Sequence, residues 1–296
     1  MTKYGKCKLC CSQKELKESH IISSFLFKWL KRTSVTGFFR TGETPNQRKQ
    51  DGWKLFLLCE DCEKLFSKWE HCFAKNILEP ITEEKQIEPY GSWLLKFSTS
   101  LSWRILQFAK KERPLNHFSN GLIASAENAS TVWREFLLDK RPNPGRFEHH
   151  MLLFPELITE YKDDLPQNIN QYILRSIDID VPCSKKEAYI YLKVGRIFIF
   201  GFIKIQNPKN WHQTKIHVKN GTLLNKHYKI PKEIVDFIFY KARKGFKTQQ
   251  KMSEKQWDQI GKDYEKNIKH FGNSEMFKAI EQDYKLFGDA AFADHK

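Results

Sequence analysis

The chain has 296 residues, 40% of them hydrophobic and 14% aromatic, a composition that excludes intrinsic disorder and leaves enough chain to bury a core. Lys and Arg outnumber Asp and Glu by 50 to 35, and the net charge of +15 points to a polyanionic partner, nucleic acid first. The opening MTKYGKCKLCC has no apolar signal region and no membrane-length apolar run follows, so the expectation is a cytoplasmic protein without a membrane partner, in which cysteines do not form a disulfide framework.

Four stretches follow in chain order. Residues 1–80 hold six of the seven cysteines. Residues 81–144 read as helical: Leu94, Phe97, Leu101, Ile105 and Phe108 recur at helical spacing between Ser92 and Lys111, and a second helix is expected over Ser130–Leu138, ended by KRPNPGR. Residues 145–230 read as an antiparallel β region. RFEHHMLLF, QYILRSIDIDV, EAYIYLKV and RIFIFGFIKI are β-branched and aromatic, Val194-Gly195 predicts a hairpin, and TKIHVKNGTLL predicts a strand, an Asn-Gly turn and a return. Of His149 and His150, alternation predicts that one faces inward. Residues 231–296 turn helical again, opening at Pro231 and continuing over 253–269 and 274–287. The fold class expected is α+β.

Cys7-x-x-Cys10 and Cys59-x-x-Cys62 are two knuckles with 48 residues between them. Two such pairs complete a site of four thiolates, which suits a structural Zn2+. Ribbon-type sites have shorter gaps, so something is inserted between the knuckles. Cys11 and Cys72 read as packing cysteines. Directly after the second knuckle, Glu63 and Glu70 stand seven residues apart on an expected helix, about 20° apart in direction, with Ser67 between them. Leu65, Trp69, Cys72 and Phe73 take the other side. The acids are either a solvated face beside Lys64 and Lys68 or a carboxylate pair able to hold a hard cation next to His20.

The order of a knuckle, SHII, LLCEDC and a helix resembles the zinc-stapled His-Asn-His (HNH) endonucleases, a treble-clef or ββα-metal module, over about 75 residues. The resemblance implies that His20 is the general base activating water and that Glu63, in the place of the family's metal-binding Asn, holds Mg2+ or Mn2+ with Glu70 beside it. Ser19 stands where the family has Asp, and Lys54 where it has its middle Asn.

The insert between the knuckles carries Lys28, Lys31, Arg32, Arg40, Arg48 and Lys49, interleaved with Trp29, Phe38, Phe39 and Trp53. Cations supply phosphate contacts and exposed rings stack bases, so the stretch reads as a nucleic-acid arm; the alternative is that the rings belong to the core. No phosphate loop, dinucleotide fingerprint or nucleophile elbow occurs. The expected function is metal-dependent cleavage of nucleic acid, DNA before RNA, with phage or mobile-element defence as its context by analogy. The rivals are a non-catalytic zinc protein that binds nucleic acid, and an interaction scaffold whose β region meets a protein partner or a second copy.

Overall fold

The first knuckle links two strands, β1 (Lys3–Lys6) and β2 (Gln13–His20), of a three-stranded antiparallel sheet. The structure, a computed structural model, describes residues 3–112, 115–154, 156–223, 228–272 and 274–292. After β2 comes α1 (Ser24–Arg32), which buries Leu26, Phe27, Trp29 and Leu30. A hairpin follows, β3 (Phe39–Thr41) with β4 (Thr44–Lys49). The chain then returns to the first sheet as β5 (Lys54–Cys59) and runs directly into α2 (Glu60–Phe73). The insert is thus a helix and a hairpin hung between two neighbouring strands.

α2 buries Cys62, Phe66 and Phe73, and its first turn carries Glu60, Asp61 and Glu63, the sign that a helix N-terminus favours. A π-helical turn leads to α3 (Glu79–Thr82), then β6 (Tyr90–Gly91) and α4 (Trp93–Glu112). α4 matches the helix expected over 92–111, and packs on α2: Phe73 stacks on Phe97 at 4.1 Å between centroids, and Phe66 meets Trp103 edge-on at 6.3 Å. α5 (Asn120–Leu137) begins ten residues before the expected Ser130, because the Ser119 hydroxyl caps it by accepting the Leu122 N–H.

The β region builds a second sheet. β7 (His149–Leu153) is followed by α6 (Ile169–Arg175), β8 (Ile177–Asp180), β9 (Ala188–Val194) and β10 (Ile197–Lys204), in the antiparallel order β7-β10-β9-β8. Alternation along β10 divides its side chains cleanly. Ile197, Ile199 and Ile203 join the core shared with α4, α5 and the cysteine unit, while Phe198, Phe200 and Phe202 join a second core, where the last two pack on Trp211. The hairpin between β9 and β10 turns at Gly195, φ +50°, where a Cβ would lie 2.6 Å from the Trp29 ring.

Three sequence expectations need correction. The first half of QYILRSIDIDV is helix α6, not strand: Asp283 accepts the N–H groups of Asn170 and Gln171 at 2.9 Å each, so a distant carboxylate caps the turn. Asn220-Gly221 is not a hairpin turn. It forms β11 (Asn220–Gly221), paired with Tyr90–Gly91, and the tyrosine hydroxyl would sit 2.3 Å from a Cβ on Gly221. Both His149 and His150 are buried, since helices or Trp211 cover the two faces of the sheet.

The chain ends in α7 (Lys232–Gln249), α8 (Glu254–Phe271) and α9 (Glu275–Phe287), near the expected bounds. α9 packs on α6. Among the described residues, no helix is long and apolar enough to cross a membrane.

Candidate metal centre and adjoining cleft

Cys7, Cys10, Cys59 and Cys62 converge, with all four sulfurs within 4.8 Å of one another. The β1–β2 turn supplies the first pair and the start of α2 the second. Cys7 lies 3.7 Å from Cys62, and Cys10 3.8 Å from Cys59. An ion about 2.3 Å from each of four tetrahedral sulfurs would separate them by about 3.8 Å, so the donor set and its spacing fit zinc. The cluster can bind a metal such as zinc. The bond shared by the Cys7 and Cys62 sulfurs, helped against burial by N–H groups of Cys10, Cys59 and Leu9, lowers the Cys7 pKa, while that shared bond and burial raise that of Cys62. Cys11 stands outside it, with its sulfur 2.8 Å from an Arg134 guanidinium nitrogen, and Cys72 is half-buried on α2.

The other side of α2 faces a cleft of about 320 Å³ lined by His20, Ser23, Ser24, Glu63, Lys64, Ser67, Glu70 and Arg104. His20, Glu63 and Glu70 therefore line one cleft. β2 ends at His20, and the turn into α1 brings Ser23 to the same place.

His20 Nε2 lies 2.8 Å from Asp51 Oδ1. Asp51 also meets Lys54 Nζ at 2.6 Å and accepts the Gly52 N–H at 2.9 Å. Burial raises the Asp51 pKa, but Lys54, His20 and that N–H outweigh it and hold the group down at about 2. Lys54, opposite His20 in the β2–β5 register, thus acts on the histidine through Asp51.

Glu63 is half-buried and its Oε1 has no hydrogen-bond partner. Burial raises its pKa and Glu70 adds to the rise, against the Ser19 hydroxyl, the Arg104 charge and His20, which lower it. Ser19 itself is buried, accepting the Leu58 N–H at 3.2 Å. Glu70 is differently placed: its Oε1 accepts from the Ser23 hydroxyl at 2.6 Å and from Arg104 Nη2 at 2.8 Å. Arg104, 2% exposed on α4, also donates to the His20 carbonyl at 3.0 Å. Ser23 and Arg104 in the cleft, and Asp51 against His20, give no sign of these roles in the sequence. Arg104 comes from a helix read as core, where only its charge stands out among Trp103, Ile105 and Leu106.

The insert's residues divide. Lys28 and Arg32 are exposed on α1, and Lys31 donates to the Gln50 carbonyl at 2.8 Å. Lys49 is half-buried and donates to Gln47 at 3.3 Å. Arg40 and Arg48 are not free for phosphates: Arg48 pairs with Asp263 of α8 at 2.7 Å and Arg40 donates to Gln256 at 3.0 Å. Nor do the rings form a stacking platform. Trp29 is buried, Phe39 stacks on Phe27 at 5.0 Å, Phe38 lies under Arg48, and Trp53 packs on Phe108.

Comparison with protein-family models, with curated proteins and with solved structures finds no significant match in any of the three.

Proposed function

We propose that the chain is a metal-dependent nuclease of the HNH type, built on a zinc-stapled treble-clef module and acting on nucleic acid in the cytoplasm. The observation that carries this reading is the shared cleft: a carboxylate-oriented histidine, and a half-buried glutamate with an orphaned oxygen that directly follows the last cysteine of the four-cysteine cluster. With Nε2 held by Asp51, His20 presents Nδ1 to take a proton from water, and the negative Asp51 stabilises the imidazolium that results. Glu63 Oε1 is the natural ligand for a divalent ion, because a cation there would relieve the burial cost of the carboxylate. When bound, Mg2+ or Mn2+ would neutralise charge on the scissile phosphate and its leaving oxygen. Glu70, already held by Ser23 and Arg104, orients the floor of the cleft instead. The duty of Ser23 and Arg104 is to keep the β2–α1 turn, and hence His20, in place.

A second reading has one observation in its favour. Arg104 places a buried positive charge beside Glu70, which weakens a cation site there and fits a module that binds nucleic acid without cutting it. The two part in one experiment. Purified protein is incubated with plasmid, single-stranded DNA and RNA, with Mg2+ or Mn2+ and with EDTA, beside His20→Ala and Glu63→Ala. Cleavage that needs the metal and vanishes in both variants is the expected result; binding without cleavage by the unmodified protein leaves the second reading.

A further inference from the structure

The C-terminal helices grip the inserted hairpin. Asn46 donates to the Lys251 carbonyl at 3.3 Å and its side-chain oxygen accepts the Ser253 N–H at 2.7 Å. The Arg48–Asp263 and Arg40–Gln256 contacts continue that seam along α8. What the seam leaves exposed is basic. Lys244, Lys247, Lys251 and Lys255 all face solvent around the α7–α8 turn, and none enters a salt bridge among the described residues. From Lys244 to Lys262 the sequence carries five lysines against two acids, Glu254 and Asp258.

This surface connects to the cleft by direct contacts. Asn46 of β4 lies on the α7–α8 turn, and β4 leads through Lys49 to Gln50, whose carbonyl holds Lys31 Nζ. Asp51, the next residue, holds His20. The exposed lysines of the α7–α8 turn are thus joined through the hairpin to the segment that carries Lys49 and Lys31 and ends at the base proposed above.

We infer that this surface is a track for the sugar-phosphate backbone of double-stranded nucleic acid, supplied jointly by α7, the α7–α8 turn and the insert. The inference rests on the nuclease reading for its direction, since the track ends at His20. Lysine ammonium groups contact phosphates without reading bases, so the recognition is independent of sequence. A duplex is favoured over a single strand because the insert has no exposed ring for a base to stack on. Tyr240, one turn before Lys244, is exposed but leans on Phe237 at 6.4 Å.

The test is binding by fluorescence anisotropy across a salt series, in EDTA so that nothing is cut. The probes are a 30-base-pair duplex, one of its strands alone, and vesicles containing phosphatidylserine. The triple variant Lys244→Gln/Lys247→Gln/Lys251→Gln is compared with the unmodified chain. Each phosphate contact removed should lower the slope of log K against log salt by about 0.9, so a fall of about 2–3 is expected, with at least about a tenfold loss of duplex affinity at low salt. An unchanged slope in the triple variant, tighter binding to the single strand than to the duplex, or binding to vesicles alone overturns the track. Its failure is separable from failure of the nuclease reading: a protein that binds duplex through these lysines and never cuts keeps the track and loses the catalysis.

Discussion

Asp51 Oδ1 sits 2.8 Å from His20 Nε2, and its other oxygen is held by Lys54 at 2.6 Å. The carboxylate is thereby fixed in place and kept ionised down to about pH 2. If His20 is the general base, Asp51→Asn should lower kcat about 10–100-fold, because the tautomer and the imidazolium both lose their support. KM should change little, and the alkaline limb of the pH profile should keep its shape. Steady-state cleavage from pH 5 to 9 checks this; a variant with full activity removes Asp51 from the mechanism.

Arg104 and Glu70 form a buried pair, 2% and 20% exposed at their side chains. Removing one partner leaves the other charge uncompensated, so Arg104→Ala and Glu70→Ala should each destabilise the fold by about 3–5 kcal/mol. The double variant should lose less than the sum. Urea unfolding of the three variants measures the coupling, and additivity would show that the pair is not a unit.

Four thiolates at tetrahedral spacing predict one zinc per chain. Cys7→Ser or Cys62→Ser should release the metal to a colorimetric chelator and abolish the cooperative unfolding of the N-terminal sheet, since structural zinc supplies folding energy of about 10 kcal/mol or more. Cys11→Ser and Cys72→Ser should keep the full zinc content. Elemental analysis of all four proteins decides between this ligand set and one that recruits Cys11.

His149 is fully enclosed, neither ring nitrogen has a partner, and burial lowers its pKa to about 3. The unfolded chain binds a proton at this residue below about pH 6.5 that the folded chain refuses, so stability falls as pH drops from about 6.5 toward 3. His149→Leu should flatten the dependence of melting temperature on pH in that window. Glu148 moves the same way at lower pH: its bond to His150, supported by Lys215 against burial, holds it at about 2, and its stabilisation is lost as pH falls from about 4.5 to 2.

Lys193 is wholly buried in β9, with its Nζ 3.1 Å from the Ser176 carbonyl and over the Tyr172 ring. Burial lowers its pKa well below the usual lysine value, so the folded chain holds this proton less tightly than the unfolded chain does. Lys193→Met should therefore stabilise the protein at pH 7 by about 1–3 kcal/mol, and by less at pH 10. Chemical unfolding at the two pH values tests the sign.

What the sequence made legible was local. The cysteine pairs fixed their own partnership, and the seven-residue spacing of Glu63 and Glu70 placed both on the cleft. α4 followed from its helical apolar spacing, and β9 and β10 from β-branched and aromatic runs that are buried on both faces. What depended on contacts distant in the chain stayed hidden. α6 exists as a helix because Asp283 caps it from more than a hundred residues away. Arg40 and Arg48 looked like a free phosphate arm because nothing near them in sequence reveals Asp263 or Gln256. Asp51 reads as one acid in a basic loop until the hairpin folds it back to the end of β2.

Arg104 reaching from α4 into the cleft has a consequence for grafting. A fragment cut at residue 80 would retain every cysteine of the cluster, His20 and both glutamates, yet it would lack the cation that holds Glu70 and the His20 carbonyl. It would also present Phe66 and Phe73 to water, having lost Trp103 and Phe97. The portable unit is therefore the cysteine cluster with its sheet, α2 and α4 together, and a chimera should take its junction after Glu112 rather than after the last knuckle.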